Sequence, residues 1–188
     1  MYTKEAETKN NGKPRIYVAC LAAYNAGQLH GGWINCDVSA EEIGKAVKEI
    51  LQYSPQAKYQ ACVEWAIHDC EGFGGITLSE SESFETVAEL AEAISKEGEA
   101  FATFYDCNTY DSVEDALEKF SENYLGEFET EKDFAEEQLN ENGTIEAVKE
   151  AGLAAYYIDF EAVARDWFCG DYWSSQAPGG RVYVYSYY

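Results

Sequence analysis

The spacing of apolar residues changes along the chain, and the change occurs near residue 80. Before it, short runs such as 16–21 alternate in a β-rich composition and are separated by Gly-rich turns, which predicts strands. From Ser83 onward the apolar residues recur every three or four positions, which predicts amphipathic helices. We therefore predict an α+β fold. It has a small N-terminal antiparallel sheet with one helix, mainly helical middle and C-terminal parts, and a closing β-hairpin.

The N-terminal part is predicted to contain three strands and one helix. The strands are placed at 16–21, 33–36 and 62–68. The helix starts after Ser39, because Ser39 and Glu42 have capping-box spacing. Its expected buried stripe consists of Ile43, Val47, Ile50 and Leu51.

The later helices are predicted from caps and from apolar periodicity. They start after Ser83, near 99, near Ser112, after Thr130, at 144 and at 160, with Gly98 as a stop signal. The inward positions are Phe84, Val87, Ala88, Ala91, Ile94, Val113, Ala116, Leu117, Phe120, Phe134, Ala135 and Leu139. A turn at 177–180 closes the predicted hairpin.

Composition divides the chain into four predicted parts. They are a flexible tail at 1–14, an N-terminal α+β domain at 15–77, a helical acidic domain at 78–125, and a C-terminal acidic helical domain with the hairpin at 126–188. The 188 residues carry a net charge of −22. Residues 78–161 hold 24 Asp or Glu and four Lys, so this segment alone accounts for −20.

The charge limits the classes of partner. A chain this acidic is repelled by nucleic acid and by anionic membranes, so we expect no direct binding to either. The sequence contains no run of 18 apolar residues and no N-terminal hydrophobic segment. Its six cysteines include no Cys-x-x-Cys pair, so we expect reduced thiols that lie mostly in the core. These observations predict a cytoplasmic protein.

On the predicted helices, many acidic residues lie four positions from another acidic residue, where like charges repel. Asp133/Glu137 and Glu137/Glu141 are examples of i,i+4 pairs that mildly destabilise a helix. If residues 78–161 fold into an object roughly 25 to 60 Å long, the net charge falls at about one per 1.3 to 3 Å. Duplex DNA carries one charge per about 1.7 Å. The segment therefore approximates the field of a duplex, although a solvated acidic face is the plainer interpretation.

Four sequence landmarks resemble the ArdA antirestriction family, acidic products of mobile elements that mimic DNA against type I restriction-modification enzymes. The first runs from Arg15 through Tyr24-Asn25 to Gly32-Trp33, and the second is Glu64-Trp-Ala-Ile-His-Asp-Cys-Glu-Gly-Phe73. The third is Tyr124-Leu-Gly-Glu127, followed by an acidic helix. The fourth and most specific is Tyr157-Ile-Asp-Phe-Glu-Ala-Val-Ala-Arg-Asp166. Together they cover about 15–170.

The resemblance implies an elongated, three-part homodimer that occupies the DNA-binding groove of the methyltransferase core as a stoichiometric inhibitor, without catalysis or cofactor. The family's antirestriction stretch corresponds to about 145–166. The predicted mimic surface comprises Glu114, Asp115, Glu118, Glu122, Glu127, Glu129, Glu131, Asp133, Glu136, Glu137, Glu141, Glu146 and Glu150. The predicted dimer interface comprises Tyr156, Tyr157, Ile158 and Phe160, which are apolar enough for subunit contact, with Asp159 as a helix N-cap and Glu161/Arg165 as an i,i+4 pair.

Two other functional classes stay open at this stage. An acidic chaperone for basic or DNA-handling defence proteins would share the same electrostatics. A hydrolase would need a carboxylate pair, which a chain with 35 acids does not exclude. The run His68-Asp-Cys-Glu71 brings four reactive residue types together, but no cysteine-protease signature surrounds it. The chain has only two histidines, which cannot form a His-rich zinc site, so no metal is predicted. Asp106–Asp111 lacks the glycine and the twelfth-position glutamate of a calcium loop.

Overall fold

The computed structural model describes residues 12–187. The chain forms two compact units, which divide between Leu117 and Glu118. The larger part of the predicted tail, residues 1–11, lies outside the described residues. None of the helices in the described part combines the length and hydropathy that a membrane crossing requires.

The first unit contains a three-stranded antiparallel sheet in the order β2-β1-β3. The strands are β1 (Arg15–Cys20), β2 (Gly31–Asn35) and β3 (Trp65–Glu71). Alternation along β1 buries Ile16 and Val18 on one face of the sheet. A bulge in the β1–β3 pairing follows Tyr17. The predicted strands and their antiparallel arrangement are confirmed, although β3 begins three residues later than expected because 61–64 are mainly exposed coil.

Helix α2 (Ala40–Gln52) covers the buried face of this sheet. Its N-terminus has the predicted capping box: Ser39 Oγ accepts from the Glu42 N–H, and the Glu42 carboxylate accepts from the Ser39 N–H. The buried positions are Ile43, Val47 and Leu51. A short helix that was not predicted, α1 (Leu21–Asn25), directly follows β1. The Gly-rich turn is therefore shorter than the sequence suggested.

Helix α3 (Phe84–Asp106) is interrupted at Gly98, which has φ 78° and ψ −162°. Ser83 caps its N-terminus by accepting from the Thr86 N–H. The glycine confirms the predicted break between two helical runs. Both runs are amphipathic, and their buried residues include Val87, Ala91, Ile94, Phe101 and Phe104.

Helix α4 (Val113–Asn123) crosses the division between the units. The second unit continues with β4 (Tyr124–Phe128), α5 (Glu131–Glu141), α6 (Thr144–Glu150), α7 (Phe160–Trp167), β5 (Tyr172–Gln176) and β6 (Val182–Ser186). Its sheet has the order β4-β6-β5, entirely antiparallel. The core centres on Phe134, Val182 and Val184, around which several aromatic side chains pack.

The C-terminal hairpin, β5 and β6, is confirmed, but β4 was not predicted. Residues 124–128 alternate between half-buried and exposed, as a strand does, yet no turn signal separates them from α4. Pairing with β6 determines the conformation of this segment, and that pairing is invisible to local pattern analysis.

Candidate functional site

The exposed face of α5 carries several of the acidic residues of the second unit. Phe134, Ala135 and Leu139 are buried, so the helix presents its other side to solvent. Thr130 starts the helix by accepting from the Asp133 N–H at 3.2 Å. The outward positions include Asp133, Glu136, Glu137 and Glu141. Apolar packing against α7 and the sheet therefore determines which acids point outward.

Eleven of the thirteen predicted mimic residues are exposed, and Asp115 and Glu131 are half-buried. The exposed acids lie on α4, β4, α5, α6 and the segment between β4 and α5. They are Glu114, Glu118, Glu122, Glu127, Glu129, Asp133, Glu136, Glu137, Glu141, Glu146 and Glu150. On the helices, these acids occupy positions that alternate with the buried residues.

Two of these carboxylates have cationic partners. Glu127 forms an ion pair with Arg181 at 2.9 Å; the residue as a whole is exposed, but its side chain is only 28% exposed. Glu146 pairs with Lys149, one turn further along α6, at 3.3 Å. Apart from Glu127, Glu146 and Asp115, which has a further interaction within the fold, the other ten make no ion pair within residues 12–187. Glu127 is the member whose charge is most clearly compensated inside the fold.

Charge density along α5 compares with that of one nucleic acid strand. The eleven residues of this helix include five acids and one lysine, so their net charge is −4. At a rise of 1.5 Å per residue the helix is about 16 Å long, giving one net charge per about 4 Å. Each DNA strand carries one charge per about 3.4 Å. A basic groove therefore meets a similar linear charge density on α5.

A cleft of about 670 Å³ lies in the same unit, between the start of α5, α7 and the sheet. Three carboxylates line it, from Glu129, Glu131 and Glu161, together with the cations of Lys132 and Arg165. Ser174 Oγ donates to Glu131 at 2.7 Å and holds that carboxylate against β5. The cleft is thus a mixed-charge depression beside the outward acids.

The predicted dimer-interface residues are placed unequally. Tyr156 and Tyr157 are 77% and 66% exposed, and their rings lie 4.4 Å apart, whereas Ile158 and Phe160 are half-buried. A hydrogen bond with Tyr157 raises the pKa of Tyr156. Leu153, which the sequence analysis did not select, is 53% exposed and lies just before them. The sequence signal for this exposed leucine was its position directly after Gly152, outside the apolar periodicity of any predicted helix.

Two local predictions for α7 have different outcomes. Asp159 caps α7, as predicted, by accepting from the Ala162 N–H at 3.0 Å. The predicted Glu161/Arg165 pair is not formed: no ion pair joins these two exposed side chains. Solvent competes well for such exposed i,i+4 partners.

The reactive run on β3 has structural partners. Glu71 binds Arg15, Cys70 Sγ donates to the Ile76 carbonyl at 3.6 Å, and the His68 ring meets Tyr24 edge-on. No group of three or more His, Cys, Asp or Glu suited to a metal ion occurs among residues 12–187. The run therefore forms no such metal-binding group within the described chain.

The cysteines are free thiols, but fewer lie in the core than expected. Cys20 and Cys36 are buried, Cys62 and Cys70 are half-buried, and Cys107 and Cys169 are exposed. Burial raises the pKa of the Cys36 thiol to about 12, the largest effect, with a smaller opposing hydrogen bond from the Ile16 backbone. This thiol is neutral at physiological pH.

Comparison with protein families identifies one match. The family of antirestriction proteins called ArdA matches residues 16–180, which is most of the chain. The search of curated proteins finds no match. The matched range includes α1 to α7 and ends before β6, the central strand of the second sheet.

Proposed function

The chain belongs to the ArdA family of antirestriction proteins, and from this premise we propose that it is a DNA mimic that blocks type I restriction-modification enzymes. The family gives an antirestriction function and an interaction with restriction enzymes. The proposal adds that outward carboxylates take phosphate-like positions in the DNA-binding groove of the methyltransferase core. The chain acts in the cytoplasm as a stoichiometric inhibitor, not as a catalyst.

The observation that carries this proposal is the outward face of α5. Its net charge recurs at nearly the interval of one DNA strand, and Glu136 and Glu137 make no ion pair within the described residues. Carboxylates without internal cations hold mobile counterions, as phosphates do. Docking of a Lys/Arg-lined groove releases those ions, which is the source of most non-specific DNA affinity.

The fold tolerates this arrangement at a cost to its own stability. Glu137 has acids four residues away on both sides, and each such like-charge pair costs a few tenths of a kcal/mol. The buried side of α5 offsets that cost, because Phe134 and Leu139 pack in the core of the unit. Selection for stability alone would favour lysines at some of these positions. A function for the uncompensated charge explains their absence.

The proposal includes a homodimer that forms through the exposed patch Leu153, Tyr156 and Tyr157. Large apolar side chains that are half or more exposed and adjacent are typical of association surfaces. Tyrosine is enriched at such interfaces because its ring is apolar and its hydroxyl stays hydrated. Ile158 and Phe160 support the patch from their half-buried positions.

Competition for a methyltransferase core tests the proposed mimicry. Labelled duplex is bound to a type I methyltransferase core, the protein is titrated in, and displacement is followed by anisotropy. We expect complete displacement at a few inhibitor dimers per enzyme. The apparent affinity should fall steeply between roughly 50 and 200 mM salt, as expected when several phosphate-like contacts are lost.

A basic histone-like protein is the control that separates mimicry from a general acidic chaperone. Mimicry requires tight binding to the methyltransferase core and weak binding to the histone-like protein at the same salt concentration. Equal binding to both would favour the chaperone. Failure to displace duplex, or displacement that is flat with salt, would contradict mimicry.

A further inference from the structure

A groove of about 580 Å³ runs beside α2 in the first unit, and all the residues that line it belong to this unit. Its lining extends from Glu41 to Gln52, about 16 Å of helix. The apolar part is formed by Val47, Leu51, Val63, Trp65 and Phe84. This volume lies within the usual range for small-molecule sites.

Two aromatic rings give the groove a flat apolar wall. Trp65 and Phe84 stack with their centroids 4.7 Å apart and both stay half-buried. Val63 is 73% exposed at the same wall and lies in the coil segment that precedes β3. An exposed valine beside a stacked aromatic pair is apolar surface that the fold itself leaves uncovered.

The charge beside this wall is opposite to that of the chain as a whole. Lys45 and Lys48 both line the groove. Lys45 is paired with Glu41 at 2.8 Å, whereas Lys48 makes no ion pair with any residue of the range 12–187. The second ammonium group is therefore available to a ligand.

We propose that this groove binds a small amphipathic anion, a site that is separate from the antirestriction surface. The apolar body of the ligand lies on the Trp65–Phe84 wall, and its carboxylate or sulfonate group lies at Lys48. Removal of the apolar body from water supplies most of the affinity. The anionic group supplies orientation, since the net charge of −22 repels anions everywhere else on average.

The probe pair 8-anilinonaphthalene-1-sulfonate and N-phenyl-1-naphthylamine tests this proposal. Both have the same aromatic body, but only the first carries a negative charge. Fluorescence titration of the full chain is expected to show one saturable site for each probe. The sulfonate should bind about two- to fivefold more tightly than the neutral probe, the usual range for one partly exposed ion pair.

Two matched pairs of variants locate the site. Lys48→Gln should weaken binding of the sulfonate by the same two- to fivefold and leave binding of the neutral probe unchanged. Lys58→Gln, outside the groove, should change the binding of neither probe. Val63→Asp should weaken both probes about tenfold or more, because it places a charge on the apolar wall. Leu29→Asp adds the same charge at a residue that is 92% exposed in the same unit and should have little effect.

Val63 is exposed, so its replacement leaves the core intact, and circular dichroism of each variant verifies folding. The proposal is overturned if neither probe saturates, if the neutral probe binds as tightly as the sulfonate, or if Val63→Asp and Leu29→Asp have equal effects. None of these outcomes depends on inhibition of a restriction enzyme. The result is therefore independent of the proposed mimicry.

Discussion

Arg15 joins the first and third strands through Glu71, a partner 56 positions away. The guanidinium Nε donates to Glu71 Oε2 at 2.8 Å, and a second guanidinium nitrogen, Nη2, lies 2.7 Å from the same oxygen. Its carbon is also 4.4 Å from the centre of the Trp33 ring on β2. The Arg15 side chain is only 13% exposed, so one residue of β1 ties together all three strands of the sheet.

Truncation of Arg15 should therefore destabilise the first unit. We expect Arg15→Ala to lower the free energy of unfolding by about 2 kcal/mol, from the lost charged hydrogen bonds and the cation–π contact. Lys13→Ala is the control, since the Lys13–Asp37 pair is 66% and 35% exposed and should contribute less than about 1 kcal/mol. Urea unfolding measures both. Equal losses would show that the partly buried position of Arg15 adds nothing.

Position 98 requires glycine because of its backbone conformation, and not because a side chain would clash with neighbouring atoms. Its φ of 78° and ψ of −162° lie in a region that only glycine adopts readily, yet a Cβ there would meet no atom within 4 Å. Gly98→Ala should therefore cost about 1 to 3 kcal/mol. Gly44→Ala, in α2, should instead stabilise by up to about 1 kcal/mol, because a Cβ makes ordinary contact with Phe84 at 3.6 Å. Stabilisation by both changes would mean that α3 straightens at no cost.

The buried Cys36 thiol makes stability depend on alkaline pH. Its pKa is raised from 9.0 to about 12 in the folded chain. The unfolded chain therefore loses this proton first, and the contribution of Cys36 is complete below pH 9 and is lost as pH rises towards 12. We expect Cys36→Ala to reduce the fall in unfolding free energy over that range. Cys107→Ala, at an exposed position, should leave the pH profile unchanged, and identical profiles for both variants would refute the assignment.

Local patterns predicted the helices well because each helix is defined by its own residues. Ser39 and Glu42 lie three positions apart, and their capping box is complete within that segment. The same holds for the buried stripe of α5, which fixed the outward side of its acids. The family resemblance covered nearly the same range as the family match, 16–180.

Features that depend on long-range pairing were missed. β4 follows α4 without a turn, and only its pairing with β6 makes it a strand. That pairing also brings Arg181 to Glu127, across 54 positions, and so neutralises one acid that the sequence assigned to the mimic surface. Spacing along the chain contains no information on which carboxylate a distant arginine will reach.

The apolar patch of the second unit leads to a prediction about oligomeric state. Tyr157→Asp should weaken the proposed homodimer about tenfold or more, because a charge would replace an exposed aromatic anchor. Tyr59→Asp is the control: Tyr59 is 82% exposed, and it lies in the first unit. Sedimentation velocity over a range of concentrations measures both. A dimer that is unchanged by Tyr157→Asp, or a wild-type chain that is monomeric throughout, would contradict an interface at this patch.

The position of negative charge, and not only its amount, should determine inhibition. Changing Glu136, Glu137 and Glu141 to Gln removes three outward charges from α5 and relieves the repulsion between the last two, so folding should be undisturbed. Displacement of duplex from a methyltransferase core should then weaken about tenfold or more, whereas each single change should weaken it about twofold or less, since many charges share the field. The matched control changes Glu89, Glu92 and Glu99, three exposed acids of α3 outside the proposed surface, and gives the same net charge. If both triple variants lose displacement equally, total charge governs binding and the proposed surface is wrong; if one single change abolishes it, the site is an ordinary hot spot and not a mimic of a phosphate backbone.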